Sequence, residues 1–383
     1  MPEIESSSDA HISQIFYVGG ENIKDSHGRE VLHGQIYVEH LIPVRTRENR
    51  SEPENHQLGQ PIIFIPGSGR TSADFLTIGR STIDNNSLEP DTSKQSWVSF
   101  FLSKNQEVYL VDPPFRGRSP FTPNLYYTTF SSSQLSAAWF QSPQIRDDPL
   151  TMQQILSSTY PQLTDLAQEQ LLSQKGITEL LNRINRQTFL LAHSMGAKTA
   201  WLVADAKPEL VKGIIAVEPA GPLFRGIGVD GLRKDMTRYG ITDARITFMP
   251  EGRLKLKEVE PEGPKKDRRV SVLLQDEEQG EVTQLVNLKE IPVVVVTSET
   301  SVHKGYDWGT VEFLRQAGVK SVDHVELEDV GVEGNGHMMM LEGNRAAVVE
   351  VICGWMGRVC RGYQGIYRGV KGTPMMDTDN FVL

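Results

Sequence analysis

The 383-residue sequence predicts an α/β protein, a mostly parallel central sheet with helices on both faces. Three observations carry this expectation. Short, continuous apolar runs recur at Pro61–Ile65, Glu107–Val111, Thr188–Ala192, Val211–Val217, Ile291–Val296 and Val322–Leu327. Such runs suit strands buried on both faces. Helical patterns separate several of them, at Trp97–Ser103, Ala197–Ala204 and Trp308–Ala317, so the connections are expected to be right-handed crossovers. Finally, in Gln187–Pro208 an apolar run passes within about two residues into a helix whose one face carries Ala197, Ala200, Trp201 and Ala204, and Pro208 stops it.

In order along the chain, residues 1–12 read as a flexible tail ahead of a single domain over 13–383. Ile15–Val18 and Val31–Val44 read as paired strands with a turn at Asp25–Gly28. Residues 45–60 are charged and loop-like. The stretch 121–186 is helical and of mixed polarity, and 220–285 is irregular, charged and punctuated by Gly and Pro. A closing helix is expected over Met338–Arg361.

Composition narrows the function classes. A net charge of -10 and a pI near 5.5 argue against nucleic acid or an anionic membrane as partner. The basic cluster Lys265, Lys266, Arg268 and Arg269 is interrupted by Asp267 and reads as a solvated loop rather than a phosphate site. Cys353 and Cys360 form no disulfide framework and have no zinc ligand set around them, so chemistry without metal or cofactor is expected. No run approaches a membrane span in length, and the acidic, serine-rich start lacks an apolar signal core. A cytosolic protein is the expectation.

In a parallel sheet, ligands sit beyond the carboxyl ends of the strands. Those ends carry Gly67-Ser68-Gly69, Asp112-Pro113, Ser194, Glu218 and His337. At His193-Ser194-Met195-Gly196 the strand-to-helix corner would expose the Ser194 hydroxyl, with small Ala192 and Gly196 two residues to either side. A serine attacks only when a base takes its proton, and a histidine base needs a carboxylate to fix its tautomer. His337, in the flexible Gly334-Asn335-Gly336 loop, is the expected base. Glu218 ends the strand after the serine and is the expected acid, with Glu299 and Asp307 as rivals; Asp323 and Asp329 read as surface or loop-capping groups. His193 reads as a packing residue, and His303 and His324 have no matching context. Two backbone N–H groups, of Met195 and Ser68, would bind the oxyanion. The Gly-Ser-Gly loop lacks the ending of a phosphate-binding P-loop.

With Ser194, Glu218 and His337 in that order, residues 30–360 resemble an α/β-hydrolase. Val217-Glu218-Pro219, Asp112-Pro113-Pro114-Phe115-Arg116-Gly117-Arg118-Ser119 and Gly334-Asn335-Gly336-His337 resemble the esterase 713-like group, in which a Glu at this strand end is the triad acid. Zearalenone-type lactonases share that arrangement. Two departures, Ala192 for the first elbow glycine and Pro66 where a His often precedes the oxyanion Gly, remove no catalytic atom. The resemblance implies an esterase or lactonase for a small, fairly apolar substrate, with caps formed by 121–186, partly helical, and 220–285, and a possible homodimer. Trp139, Phe140 and Tyr160 are candidates for the pocket lining or the cap core. The alternatives are a biosynthetic acyltransferase, cyclase or C–C bond hydrolase with the same triad, or a non-catalytic binding protein. A dehalogenase is disfavoured, since it needs Asp at the elbow.

Overall fold

The computed structural model describes residues 10–24, 27–44, 59–76, 95–121, 127–128, 141–228, 231–234, 237–252 and 254–362. An eight-stranded sheet forms its centre. Two 14-residue strands, β1 (His11–Lys24) and β2 (Glu30–Pro43), make a long antiparallel hairpin from His11 opposite Pro43 to Lys24 opposite Glu30. The first of these is much longer than the expected Ile15–Val18. As the edge strand it leaves Ile12, Ile15 and Tyr17 exposed, so it lacks the apolar alternation that marks a half-buried strand. The remaining strands of this sheet are β3 (Ile62–Ile65), β4 (Val108–Asp112), β7 (Thr188–His193), β8 (Val211–Val217), β13 (Val293–Thr297) and β14 (Val322–Glu326). Two short strands, β5 (Tyr127–Thr128) and β6 (Gln162–Leu163), pair with each other outside it.

Across the sheet the order is β1-β2-β4-β3-β7-β8-β13-β14, and only β2 runs against the others. Alternate residues of each strand enter two separate cores. Ile63, Ile65, Leu190 and Val293 face one layer, packed by α4 (Leu166–Ile184), α5 (Gly196–Ala206) and α6 (Asp307–Gln316). Ile62, Phe64, Leu191 and Val294 face the other, packed by α1 (Trp97–Ser103) and α7 (Arg345–Cys360). Burial on both faces is why these strands read as unbroken apolar runs.

Two boundaries differ from expectation. Within 121–186, the long helix α4 belongs to the flanking layer: Ile177, Leu180 and Leu181 share a core with Ile36 and Val38 of β2, and its Glu179 accepts a hydrogen bond from the Gly19 amide (3.0 Å). The segment free to cover the site therefore ends before Leu166. Within it lie α2 (Pro143–Arg146) and α3 (Pro149–Ser157), each started by a side-chain cap, Ser142 and Asp148, followed by Pro. The closing helix begins at Arg345 rather than Met338, because Glu342 turns its carboxylate back onto the His337 loop. The second insertion holds two hairpins, β9 (Arg225–Gly228) with β10 (Gly231–Lys234) and β11 (Leu256–Val259) with β12 (Val272–Gln275).

Candidate active site

The strand register brings the predicted residues to one edge. Ile65 lies opposite Ala192, and His193 opposite Val217, so the loops after β3, β7 and β8 leave the sheet at one level. Ser194 sits at φ 53°, the left-handed corner that a strand-to-helix turn imposes on a non-glycine residue. Its amide donates to Val217 O (3.0 Å) and its carbonyl accepts from Ala197 and Ala220, which fixes the corner. A Cβ at Gly196 would stand 2.5 Å from Ile65 O, so no other residue fits behind the serine. Ala192 is fully buried, and its methyl group is accommodated where the usual elbow has glycine.

Glu218 also has a left-handed backbone, at φ 44°, and is fully buried. Ser298 N–H (2.9 Å) and Ser298 Oγ donate to its Oε1; Ser301 Oγ (2.8 Å) and His337 Nδ1 (2.7 Å) donate to its Oε2. Burial alone would raise the pKa of this carboxyl. The charge of His303 and the bonds from His337 and Ser298 outweigh it and hold Glu218 at about 2. His337 is displaced downward, first by burial and then against the pull of its Glu218 bond. With Nδ1–H given to the carboxylate, Nε2 is the nitrogen left to accept a proton.

His193 ties the base to the elbow. It donates from Nε2 to the His337 carbonyl (2.9 Å), and the two rings lie 4.5 Å apart. Full burial keeps it well below its ordinary pKa, hence neutral. Packing alone understates its role, because it fixes the backbone of the expected base beside Ser194.

The rival acids have other partners. Glu299 accepts the Gly334 amide (2.9 Å) and so anchors the start of the His337 loop. Asp307 pairs with His303 Nδ1 (3.2 Å) and accepts from Thr297 Oγ1 (2.8 Å), which itself bonds His324 Nε2 (2.9 Å). The reading of His303 and His324 as lacking context is thus corrected: a 3-10 turn and the β13–β14 register bring them in, neither of which leaves a motif. Asp323 is no surface group either; it is buried and accepts from Trp355 Nε1 (2.8 Å). Glu342 was unread. Its carboxylate takes the Gly336 amide (2.9 Å) and Asn335 Nδ2 (2.6 Å), and burial pushes its pKa up to about 7.

Met195 stands at the N-terminal end of α5, and Gly67 lies against the elbow, where a Cβ would meet Ser194 Cβ at 3.0 Å. The Gly67–Thr71 loop is held from below by the Asp112–Ser119 stretch. Arg116 donates to Gly67 O (2.6 Å) and Arg70 O (3.1 Å), while Asp112 accepts from Ser72 and Arg118. From above, Ser68 Oγ donates to Gln162 Oε1, and the Tyr160 amide donates to Gly69 O (2.9 Å). The Tyr160 side chain is partly exposed, and Trp139 and Phe140 lie outside the described residues.

Glu218, His303 and His337 place one ligand atom each within 4.8 Å of one another. Both Glu218 oxygens already receive N–H and O–H donors, the surroundings of an anion held for a histidine rather than those of a cation site. The basic cluster is paired too: Lys265 meets Glu326 and Asp329, Arg269 meets Glu326, and Arg268 meets Glu328.

A sequence model described as the Alpha/beta hydrolase family matches residues 62–351. The chain belongs to the alpha/beta hydrolase family. A curated relative, the "Probable secreted lipase phiG" of a fungal species (strain ATCC 74256), is 31% identical over 373 residues, covering 91% of this chain and 90% of its own. Among solved structures, a novel bacterial esterase superposes with a TM-score of 0.59 at 18% identity over 90% of this chain and 95% of its own. A naproxen esterase from Bacillus subtilis does so at 0.40 and 10%, over 90% and 92%. The family model and the curated relative show a hydrolase of this family with a lipase-named homologue, and the bacterial esterase structure shares its fold. The cytosolic expectation is overturned by the relative named as secreted. Two thiols and an acidic composition suit either side of a membrane, so composition could not decide the point. Among the described residues no helix is long and apolar enough to cross a membrane.

Proposed function

We propose that the chain is a secreted serine hydrolase that cleaves the carboxylic ester or lactone of a small, fairly apolar molecule. The observation carrying this reading is the buried His337 Nδ1–Glu218 Oε2 bond of 2.7 Å, one strand from the strained corner at Ser194. Ser194 Oγ attacks the carbonyl carbon while His337 Nε2 takes its proton. Glu218 holds Nδ1–H and stabilises the imidazolium. The amides of Ser68 and Met195 donate to the oxyanion as the tetrahedral adduct forms. Collapse breaks the C–O bond, His337 returns the proton to the leaving alcohol, and an acyl-Ser194 ester remains. Water then attacks that ester with His337 again as base, releasing the carboxylic acid and restoring Ser194. The lipase and esterase names among the relatives support ester chemistry over the alternatives. Residues 141–165 and the two hairpins of the second insertion are proposed to cover the site and select the substrate.

p-Nitrophenyl esters of increasing chain length, read alongside a few macrolactones, test the substrate class. A burst of p-nitrophenol stoichiometric with protein, and a fluorophosphonate adduct on the peptide carrying Ser194, are expected. An unlabelled Ser194 peptide in protein that still turns over the ester would contradict the acyl-enzyme.

A further inference from the structure

Beneath His337 lies a second histidine–carboxylate pair that the triad does not use. His303 stacks on His337 almost face to face, with ring centroids 4.7 Å apart and planes 10° from parallel. Its Nδ1 faces Asp307 Oδ1 at 3.2 Å, its amide donates to Ser301 Oγ (3.3 Å), and that hydroxyl donates in turn to Glu218 Oε2. One ring is therefore held between two carboxylates, lies flat on the expected base, and is linked through Ser301 to the expected acid. We propose that His303, held as an imidazolium by Asp307, is a positioning residue that sets the charge balance of the Glu218–His337 pair and keeps His337 a free base to lower pH. The proposal rests on the reading of Ser194, His337 and Glu218 as a triad.

The groups facing the two rings favour charge on His303 and oppose it on His337. Around His303 stand Asp307 from the start of α6, Glu218 from the end of β8, the Tyr306 ring at 4.8 Å and His337 itself. Burial opposes its charge, but Asp307 and Glu218 outweigh burial, and its pKa is raised. Asp307 is pushed up to about 6 by burial, so its carboxyl is largely ionised at neutral pH, facing a ring whose own pKa is raised. Around His337 stand Glu218, the neutral His193 ring and His303, with Glu342 behind the Gly336 amide. A positive ring stacked on His337 disfavours a second positive charge there, while the Ser301 bridge keeps Glu218 aimed at Nδ1.

Two measurements test this. In the intact protein, ring-carbon NMR of histidine-labelled material should show His303 mostly charged at pH 6.5 while His337 titrates below that value; a neutral His303 at pH 6.5 overturns the proposal. In His303→Gln and Asp307→Asn, each checked for a native near-UV circular dichroism spectrum, the acid limb of kcat/KM should move up. A shift of about one unit, or about a tenfold greater loss of rate below the limb, is expected for His303→Gln and a smaller one for Asp307→Asn. A lower kcat with the acid limb unmoved in either folded variant would mark a merely structural role and overturn it. The titration of His337 is repeated in Ser194→Ala with and without His303→Gln, which needs no turnover. An upward move there supports the charge coupling even if Ser194→Ala retains ester turnover and the triad reading falls; no move overturns the coupling.

Discussion

Ser194 and Glu218 both stand at strand ends with left-handed backbones, a conformation costing of order 1 kcal/mol or more that persists only where the surroundings over-determine it. At Glu218 those surroundings are four hydrogen-bond donors. Glu218→Gln is expected to lower kcat by about 10⁴-fold, since a carboxamide cannot fix the Nδ1–H tautomer or balance the imidazolium. Glu299→Gln is expected to cost less than about tenfold, because a neutral oxygen still accepts the Gly334 amide. Equal losses in the two variants would remove Glu218 from its role. The same carboxyl bears on acid stability. Its folded pKa of about 2 lies below the ordinary 4.5, so its contribution is present above about pH 4.5 and fades as pH falls through 2. Thermal melts of Glu218→Gln should accordingly approach those of the parent protein between pH 4.5 and 2.5, and a gap that widens on acidification would contradict this. Sequence alone made Glu218 visible, because an acid between a buried strand and Pro219 has few bland explanations. Asp307 was visible only as a rival acid, and the places of His303 and Glu342 were hidden, because these residues reach the site through a 3-10 turn and a folded-back loop.

At the scale of elements, the loop expected to bind the oxyanion is clamped between β4's Asp112–Ser119 extension and α3. Arg70 is fully buried; it pairs with Asp74 and donates to Ile155 O (2.8 Å), Thr159 Oγ1 (3.0 Å) and Ser158 Oγ (3.0 Å). Removing one partner of a buried pair leaves the other uncompensated, so Arg70→Ala should cost about 3–5 kcal/mol in urea unfolding. A loss below about 1 kcal/mol would show that α3 is not fastened through this residue. The Asp112–Ser119 stretch was legible as a motif but not as a brace, since spacing gives no hint that Arg116 would reach the Gly67 carbonyl. The place of α4 was hidden for a related reason. Helical periodicity marks which residues are apolar, not whether the sheet or a cap receives them.

Over the whole molecule, the fold class was legible because apolar runs alternating with helical patterns suit strands buried on both faces of a covered, mostly parallel sheet. Strand order was not, since any of these similar apolar runs could pair with any other until the crossovers are set. The two cysteines lie in α7 against the core, where burial raises Cys353 to about 12 and raises Cys360 as well. Iodoacetamide at pH 8 should therefore leave both unmodified in the native protein and alkylate both in urea; rapid native labelling would contradict the packing of α7. The central claim remains that one hydroxyl at one corner carries the reaction. Its most direct test is kcat/KM of Ser194→Ala on the best p-nitrophenyl ester, in protein shown to melt like the parent. A fall of at least about 10⁴-fold is predicted, and turnover within tenfold of the parent would contradict the account.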